Sequence, residues 1–177
     1  MADPVKIGIL TVSDRASRGE YEDRSGPAIE AYLRRAISTP WEPVKLIIPD
    51  GRASVREAAK ELCDERKVGL LLITGGTGPA PRDETPEGVA DIAERELPGF
   101  GELMRRVSLE TVPTAILSRQ GGSLRGSTLI VTLPGKPAAI DVCLQAVFPA
   151  VPYCLDLIGA GHISTDPQVV TSFRPGT

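Results

Sequence analysis

The sequence predicts an α/β domain built on a mainly parallel sheet. Two runs, 5–12 (VKIGILTV) and 68–74 (VGLLLIT), are continuously apolar, as strands covered on both faces are. Stretches of helical spacing lie between such runs, among them Ile29, Leu33 and Ile37 at intervals of four. Strands that alternate with helices favour parallel pairing through crossover connections. No repeat or linker interrupts the 177 residues, so a single domain spanning 1–177 is expected.

The elements follow in order. After the first strand, 13–24 is polar and reads as a loop. Ser25 with Gly26-Pro27 opens a helix that carries Ile29, Leu33 and Ile37. Residues 43–48 (PVKLII) form the second strand, stopped by the breaker Pro49-Asp50-Gly51. Ser54 is placed to cap a helix running to about Arg66, with Glu57 three residues on as its capping-box partner. The third strand leads into a Gly/Pro-rich loop over 75–84, and Thr85-Pro86 begins a helix with proline at its first position. Residues 100–110 read as helical. Ala115–Ser118 and Thr128–Leu133 read as strands around a glycine turn at Gly121-Gly122. Pro137 starts a helix to about Phe148, 151–158 forms another, and the tail after Gly159 is irregular.

Composition removes several classes of function. Twenty Lys and Arg against 23 Asp and Glu give a net charge of −3, with no basic stripe of the kind a nucleic-acid binder carries. An anion can still be held by a few local cations and backbone N–H groups. Cys63, Cys143 and Cys154 are widely spaced and reduced thiols are expected. The lone histidine, His162, builds no His–Cys metal cluster and reads as exposed. The apolar N-terminal run is too short for a membrane span and lacks a signal-peptide flank, so a soluble, cytoplasmic protein with no membrane contact is expected.

Chemistry is expected in the loops that follow the strands. If the strands are parallel, Ser13-Asp14, Pro49-Asp50 and Thr74-Gly75 all open on one edge of the sheet, where ligands of such folds bind. The richest loop is 74–87, TGGTGPAPRDETPE. Gly75, Gly76 and Gly78 allow close backbone approach and present N–H groups to phosphate. Arg82 adds a cation, and Asp83 a carboxylate, at the mouth of the next helix. The same loop also reads as a strand-to-helix turn rich in glycine for steric reasons. Pro81 stands where a dinucleotide fingerprint has its third glycine, and Gly135-Lys136 is followed by Pro137 rather than Ser or Thr, so neither common phosphate motif is present. LPGKP (133–137) nevertheless sets a glycine and a lysine at a helix N-terminus, a phosphate site or an ordinary connection.

Asp50 alone reads as a turn residue. Together with Asp83 it supplies two carboxylates beside the loops proposed for phosphate, a pattern that suits Mg²⁺. Asp14-Arg15 could join them or form a solvated pair. Ser118-Arg119 and Arg125 offer donors near the glycine turn or lie on the surface, and Trp41 reads as a packed loop residue. Just over half of the 18 glycines and 16 prolines fall in 13–27, 49–51, 74–88 and 119–137.

With these segments in hand, the sequence resembles the molybdopterin adenylyltransferase family, which includes a bacterial enzyme of molybdenum-cofactor synthesis and the G domains of gephyrin and its plant counterpart. The resemblance rests on SDRASRGEYEDRSGPAI (13–29), LIIPD (46–50), TGGTGPAPRDETPE (74–87), PGFGELMR (98–105), TAILSRQ (114–120) and TLPGKP (132–137), with VPYC (151–154) and FRPG (173–176) beyond. Only 138–150 separates the LPGKP helix from VPYC, fewer residues than in some bacterial members. The resemblance implies a three-layer α/β/α sandwich with a Rossmann-like sheet, assembled as a homotrimer. It implies that ATP, with Mg²⁺, adenylylates the terminal phosphate of molybdopterin and releases pyrophosphate, before a partner protein inserts molybdate. The family's essential carboxylates fall on Asp50 and Asp83, which would carry the Mg²⁺. Its phosphate- and pterin-contacting loops fall on Ser13-Asp14-Arg15, Gly75-Gly76-Thr77-Gly78, Ser118-Arg119 and Pro134-Gly135-Lys136-Pro137, with Arg82 beside them. Two other readings stay open: a pterin-binding carrier without catalysis, and a scaffold trimer with a vestigial site.

Overall fold

The structure, a computed structural model, describes residues 3–176. Six strands form one sheet in the order β2-β1-β3-β6-β5-β4: β1 (Val5–Val12), β2 (Trp41–Ile48), β3 (Leu70–Thr74), β4 (Arg95–Glu96), β5 (Gly122–Arg125) and β6 (Thr128–Leu133). β1 pairs in parallel with both β2 and β3, and β3 with β6, while β5 and β4 complete the far edge antiparallel. Register brings Val12 opposite Ile48 and Thr74 opposite both Thr11 and Leu133. All four parallel strands therefore end at nearly one level.

The helices are α1 (Asp14–Ser17), α2 (Ser25–Ala36), α3 (Arg52–Asp64), α4 (Thr85–Ala90), α5 (Pro98–Leu109), α6 (Pro137–Val147) and α7 (Val151–Ile158). They cover both faces. Alternate residues of β3 point opposite ways: Leu70 and Leu72 join Ile29, Leu33, Met104, Leu144 and Leu155 in one core, whereas Leu71 and Ile73 join Val55, Leu62, Val89 and Ile92 in the other. The expected three-layer sandwich is thus observed. With so few aromatics the cores are aliphatic, apart from Tyr32 and Phe148, whose rings meet edge to face at 5.4 Å. Pro137–Ile158 is long and apolar enough to cross a membrane by length and composition alone, but its inward side chains Ile140, Leu144, Phe148 and Leu155 are built into the first core.

Several boundaries differ from expectation. The 13–24 stretch contains the short helix α1, capped by Ser13, whose Oγ accepts from Ala16 N at 3.2 Å. Ser54 does not cap α3, which starts two residues earlier; its hydroxyl instead donates to Pro49 O at 2.9 Å. Pro113–Leu117 is a 3₁₀ turn rather than a strand, and the hairpin turns at Gly126, not at Gly121-Gly122, which leads into β5. Trp41 belongs to β2, half-buried, with the Arg34 guanidinium 5.5 Å above its ring. A 3₁₀ turn at Phe148–Ala150 joins α6 directly to α7.

Candidate active site at the carboxyl edge of the sheet

The chain leaves β1 towards β2 on one side and leaves β3 towards β4 at the opposite edge. The strand order therefore reverses between β1 and β3, and such a switch opens a crevice at the carboxyl ends. The loops after β1, β2, β3 and β6 converge there.

The β1 and β2 loops are tied reciprocally. Asp14 N donates to Asp50 Oδ2 at 2.8 Å, and Asp50 N donates to Asp14 Oδ1 at 3.1 Å. Arg82, from the β3 loop, donates through Nε and Nη2 to the two Asp14 oxygens at 3.0 and 2.9 Å and through Nη2 to Asp50 O at 3.1 Å. This guanidinium holds the Asp14 carboxyl below the usual carboxylate range.

The β3 loop passes between these groups. Gly75 (φ 98°) and Gly76 (φ 64°) are both in the left-handed region, and a Cβ on Gly75 would lie 2.3 Å from Val12 O. Thr85 Oγ1 donates to Gly75 O at 2.8 Å, Thr85 N donates to Gly76 O at 3.0 Å, and Thr74 Oγ1 donates to Pro134 O at 2.8 Å. Gly135 comes so close that a Cβ there would sit 3.4 Å from Gly75 Cα. The N–H groups of Gly76, Thr77 and Gly78 donate to no other group among the described residues.

The two candidate carboxylates flank this row of open amides. A Cβ on Gly76 would be 3.5 Å from Asp50 Oδ1, and one on Gly78 would be 2.7 Å from Asp83 Oδ2. Asp83 Oδ2 accepts from Ala80 N at 3.1 Å. Each carboxylate thus spends Oδ2 on a backbone amide and keeps Oδ1 without a hydrogen bond among the described residues. Among those residues no group of three His, Cys, Asp or Glu could enclose a metal.

Two cavities adjoin the loop. One, of about 220 Å³, is lined by Ser13, Arg15, Arg24, Ser25, Gly75 and Gly135. The other, of about 510 Å³, lies beyond Thr77, whose hydroxyl is 3.4 Å from Ser118 Oγ; Ser118, Arg119, Arg105, Pro86 and Gly122 line it. Arg15, Arg24 and Lys136 are exposed and enter no salt bridge among the described residues; Arg15 lies 4.8 Å over the Tyr21 ring.

The expected site residues Ser13, Asp14, Asp50, Gly75 to Gly78, Asp83, Ser118 and Pro134 to Lys136 therefore share one edge. Arg82 and Arg119 share it too, but both guanidiniums are occupied by protein oxygens. Arg125 lies elsewhere, paired with Asp64 at 2.7 Å and donating to Ile92 O. Sequence reasoning gave no role to Asp23, Glu84, Glu87 or Gln120. Asp23 Oδ1 caps α2 through Ser25 N and Gly26 N at 3.1 Å, and its Oδ2 accepts from Thr11 Oγ1 at 2.8 Å. Glu84 accepts from Arg52 N at 3.1 Å and so serves the start of α3. Buried Gln120 accepts from Ser118 Oγ at 2.8 Å and fixes that hydroxyl. A carboxylate two residues before Ser25, and the DETPE and SRQ strings, were the available signals.

A three-layer α/β domain with open amides and flanking carboxylates at its switch point has the arrangement that suits an anionic, phosphate-bearing ligand. Residues 8–153 match the family described as a probable molybdopterin binding domain. The chain is 48% identical to the molybdopterin adenylyltransferase of Helicobacter pylori (strain 26695) over 171 residues, 97% of each chain. It is 45% identical to that of Escherichia coli K12, covering 97% of this chain and 94% of the other. Among solved structures, the molybdopterin biosynthesis enzyme MoaB of Thermus thermophilus superposes with a TM-score of 0.81 at 39% identity, over 90% of this chain and 99% of that one. The chain belongs to the molybdopterin adenylyltransferase family.

Proposed function

We propose that this chain adenylylates molybdopterin, a late step of molybdenum-cofactor synthesis. The terminal phosphate of molybdopterin attacks the α-phosphorus of ATP, the bond to the β-phosphate oxygen breaks, and pyrophosphate leaves with the electron pair. The carrying observation is the row of open amides at Gly76, Thr77 and Gly78, set between the unengaged oxygens of Asp50 and Asp83. Amides so fixed stabilise phosphate charge without rearranging during the reaction. Arg15, Arg24 and Lys136, lacking carboxylate partners, draw the anionic substrates in. The cavities on either side of the loop suit two ring systems whose phosphates meet over it.

Asp50 Oδ1 and Asp83 Oδ1 fit Mg²⁺, which takes one or two carboxylates and completes its shell with water and substrate phosphates. Bound there, it would supply neutralisation of phosphate charge. The chain acts as one domain in the cytoplasm and as a homotrimer, for which exposed Val112, Ile116 and Leu117 offer apolar surface. It hands its product to a molybdate-inserting protein.

The deciding experiment incubates the protein with molybdopterin, ATP and Mg²⁺ and follows adenylylated pterin and pyrophosphate. Product is expected, with at least about a 100-fold loss of rate in Asp50→Asn or Asp83→Asn and no reaction after chelation of the metal. No product from the parent, or an undiminished rate in Asp83→Asn, overturns the proposal. Pterin binding without pyrophosphate release would make the chain a carrier.

A further inference from the structure

Arg119 was expected to contact phosphate, yet its bonds run to the protein. Its Nε and Nη2 both donate to Gly78 O at 3.1 Å, and Nη2 also donates to Asp83 O. Its Nη1 pairs with Glu87 Oε1, and its backbone N donates to Thr77 O at 2.8 Å. One residue of the loop before β5 thus holds both ends of the turn that bears Asp83. The turn itself is slight: Asp83 N donates to Ala80 O at 2.9 Å and Ala80 N to Asp83 Oδ2 at 3.1 Å, with prolines at 79 and 81 supplying no donor.

Glu87, in the first turn of α4, is committed to this arginine. Its Oε2 is enclosed and without a hydrogen-bond partner among the described residues, and its Oε1 meets the Arg119 guanidinium. The Arg119 guanidinium keeps its carboxyl below the usual range. Arg15, Arg24 and Lys136 form the contrasting set, cations at the same edge that no carboxylate holds.

We infer that Arg119, seated by Glu87, is a positioning residue that locks the 78–83 turn and thereby aims Asp83 at the open amides, and that it is not a phosphate ligand. A planar fork can span Gly78 O, Asp83 O and Glu87 together, which the single ammonium of lysine cannot. A phosphate ligand, by contrast, would be served in part by lysine.

The test compares the parent with Arg119→Lys, Arg119→Ala and Glu87→Ala by kinetics and by hydrogen exchange at the amides of residues 78–84. The kinetic arm rests on the proposed adenylyl transfer; the exchange arm does not. Arg119→Lys and Glu87→Ala are expected to lower kcat roughly 10- to 100-fold with KM for ATP within about twofold, since the loss falls on alignment rather than on binding. Exchange over 78–84 is expected to quicken in all three variants. A KM for ATP raised tenfold in Arg119→Ala, with lysine restoring most of it, would overturn the inference and make Arg119 a ligand. Unchanged exchange over 78–84 in Arg119→Ala would overturn it as well. If the parent forms no product, the function falls and the exchange arm alone decides whether Arg119 clamps the turn.

Discussion

Asp14 and Asp50 each bind the other's backbone N–H with a side-chain oxygen. The arrangement follows from register, because Val12 and Ile48 end their strands side by side and release two acidic loops at one height. Each carboxylate fixes the backbone of its neighbour, so a change at Asp14 is felt at Asp50. Asp14→Ala should therefore impair adenylylation while the protein stays folded. Steady-state rates beside circular dichroism check this, and unaltered kcat would separate the two loops functionally.

The ion pair of Asp14 with Arg82 sets a pH dependence. Hydrogen bonding to Arg82 depresses the folded pKa of Asp14 below its ordinary 3.8. A depressed carboxylate adds stability above its unfolded pKa, and the contribution fades as pH falls through that value towards the folded one. The gap in thermal midpoint between parent and Arg82→Ala should be widest near neutral pH and close progressively below about pH 4. A gap that stays constant down to pH 3 would remove the pair as its cause.

Glycines of the site should differ sharply in what they tolerate. At Gly75 an added Cβ meets Val12 O, backbone that cannot swing aside, and φ is positive, so Gly75→Ala should cost about 2–3 kcal/mol or more. Gly121 has ordinary φ and nothing within 4 Å of an added Cβ. Gly121→Ala should thus stay within about 0.5 kcal/mol of the parent. Urea midpoints of the two variants test the contrast, and equal midpoints would refute it.

Phe148 is fully buried against Tyr32 in a core with few other rings. Phe148→Ala removes that contact and leaves a cavity between α2 and the turn joining α6 to α7, at a cost of about 3–5 kcal/mol. Chemical denaturation measures it. A loss under about 1 kcal/mol would mean that the α6–α7 segment collapses into the space.

The three free thiols should be slow to react. Burial pushes Cys63 up to about 11 and raises Cys143 and Cys154 as well, leaving little thiolate at neutral pH. Iodoacetamide at pH 7.5 should label the folded protein far more slowly than free cysteine, and all three residues once urea is added. Mass spectrometry counts the adducts, and rapid labelling of native Cys63 would contradict its burial.

Legibility tracked burial and length. Leu70 to Thr74 are all buried, and a run covered on both faces can be read without neighbours. β4 has only two exposed residues, Arg95 and Glu96, so pairing with β5 defines it and no local pattern could. Ala115 to Leu117 look like a strand by composition, yet Ile116 and Leu117 stay exposed in a 3₁₀ turn with no sheet partner. At the site, residue types and their shared edge were readable from strand ends. The occupation of Arg82 and Arg119 by protein oxygens was not, because their partners Asp14 and Glu87 lie 68 and 32 residues away.

The two margins of the sheet bear on how the protein behaves when crowded. On one side β2 presents exposed Glu42 and Lys45 around Pro43, which removes one donor from the row. On the other, β4 is two charged residues long. Ile47 is exposed on β2, but charge and proline interrupt that rim and the other is too short to template foreign strands. The molecule can thus keep a run of four parallel strands, slow to fold by its topology, without inviting its copies to add to it edge to edge.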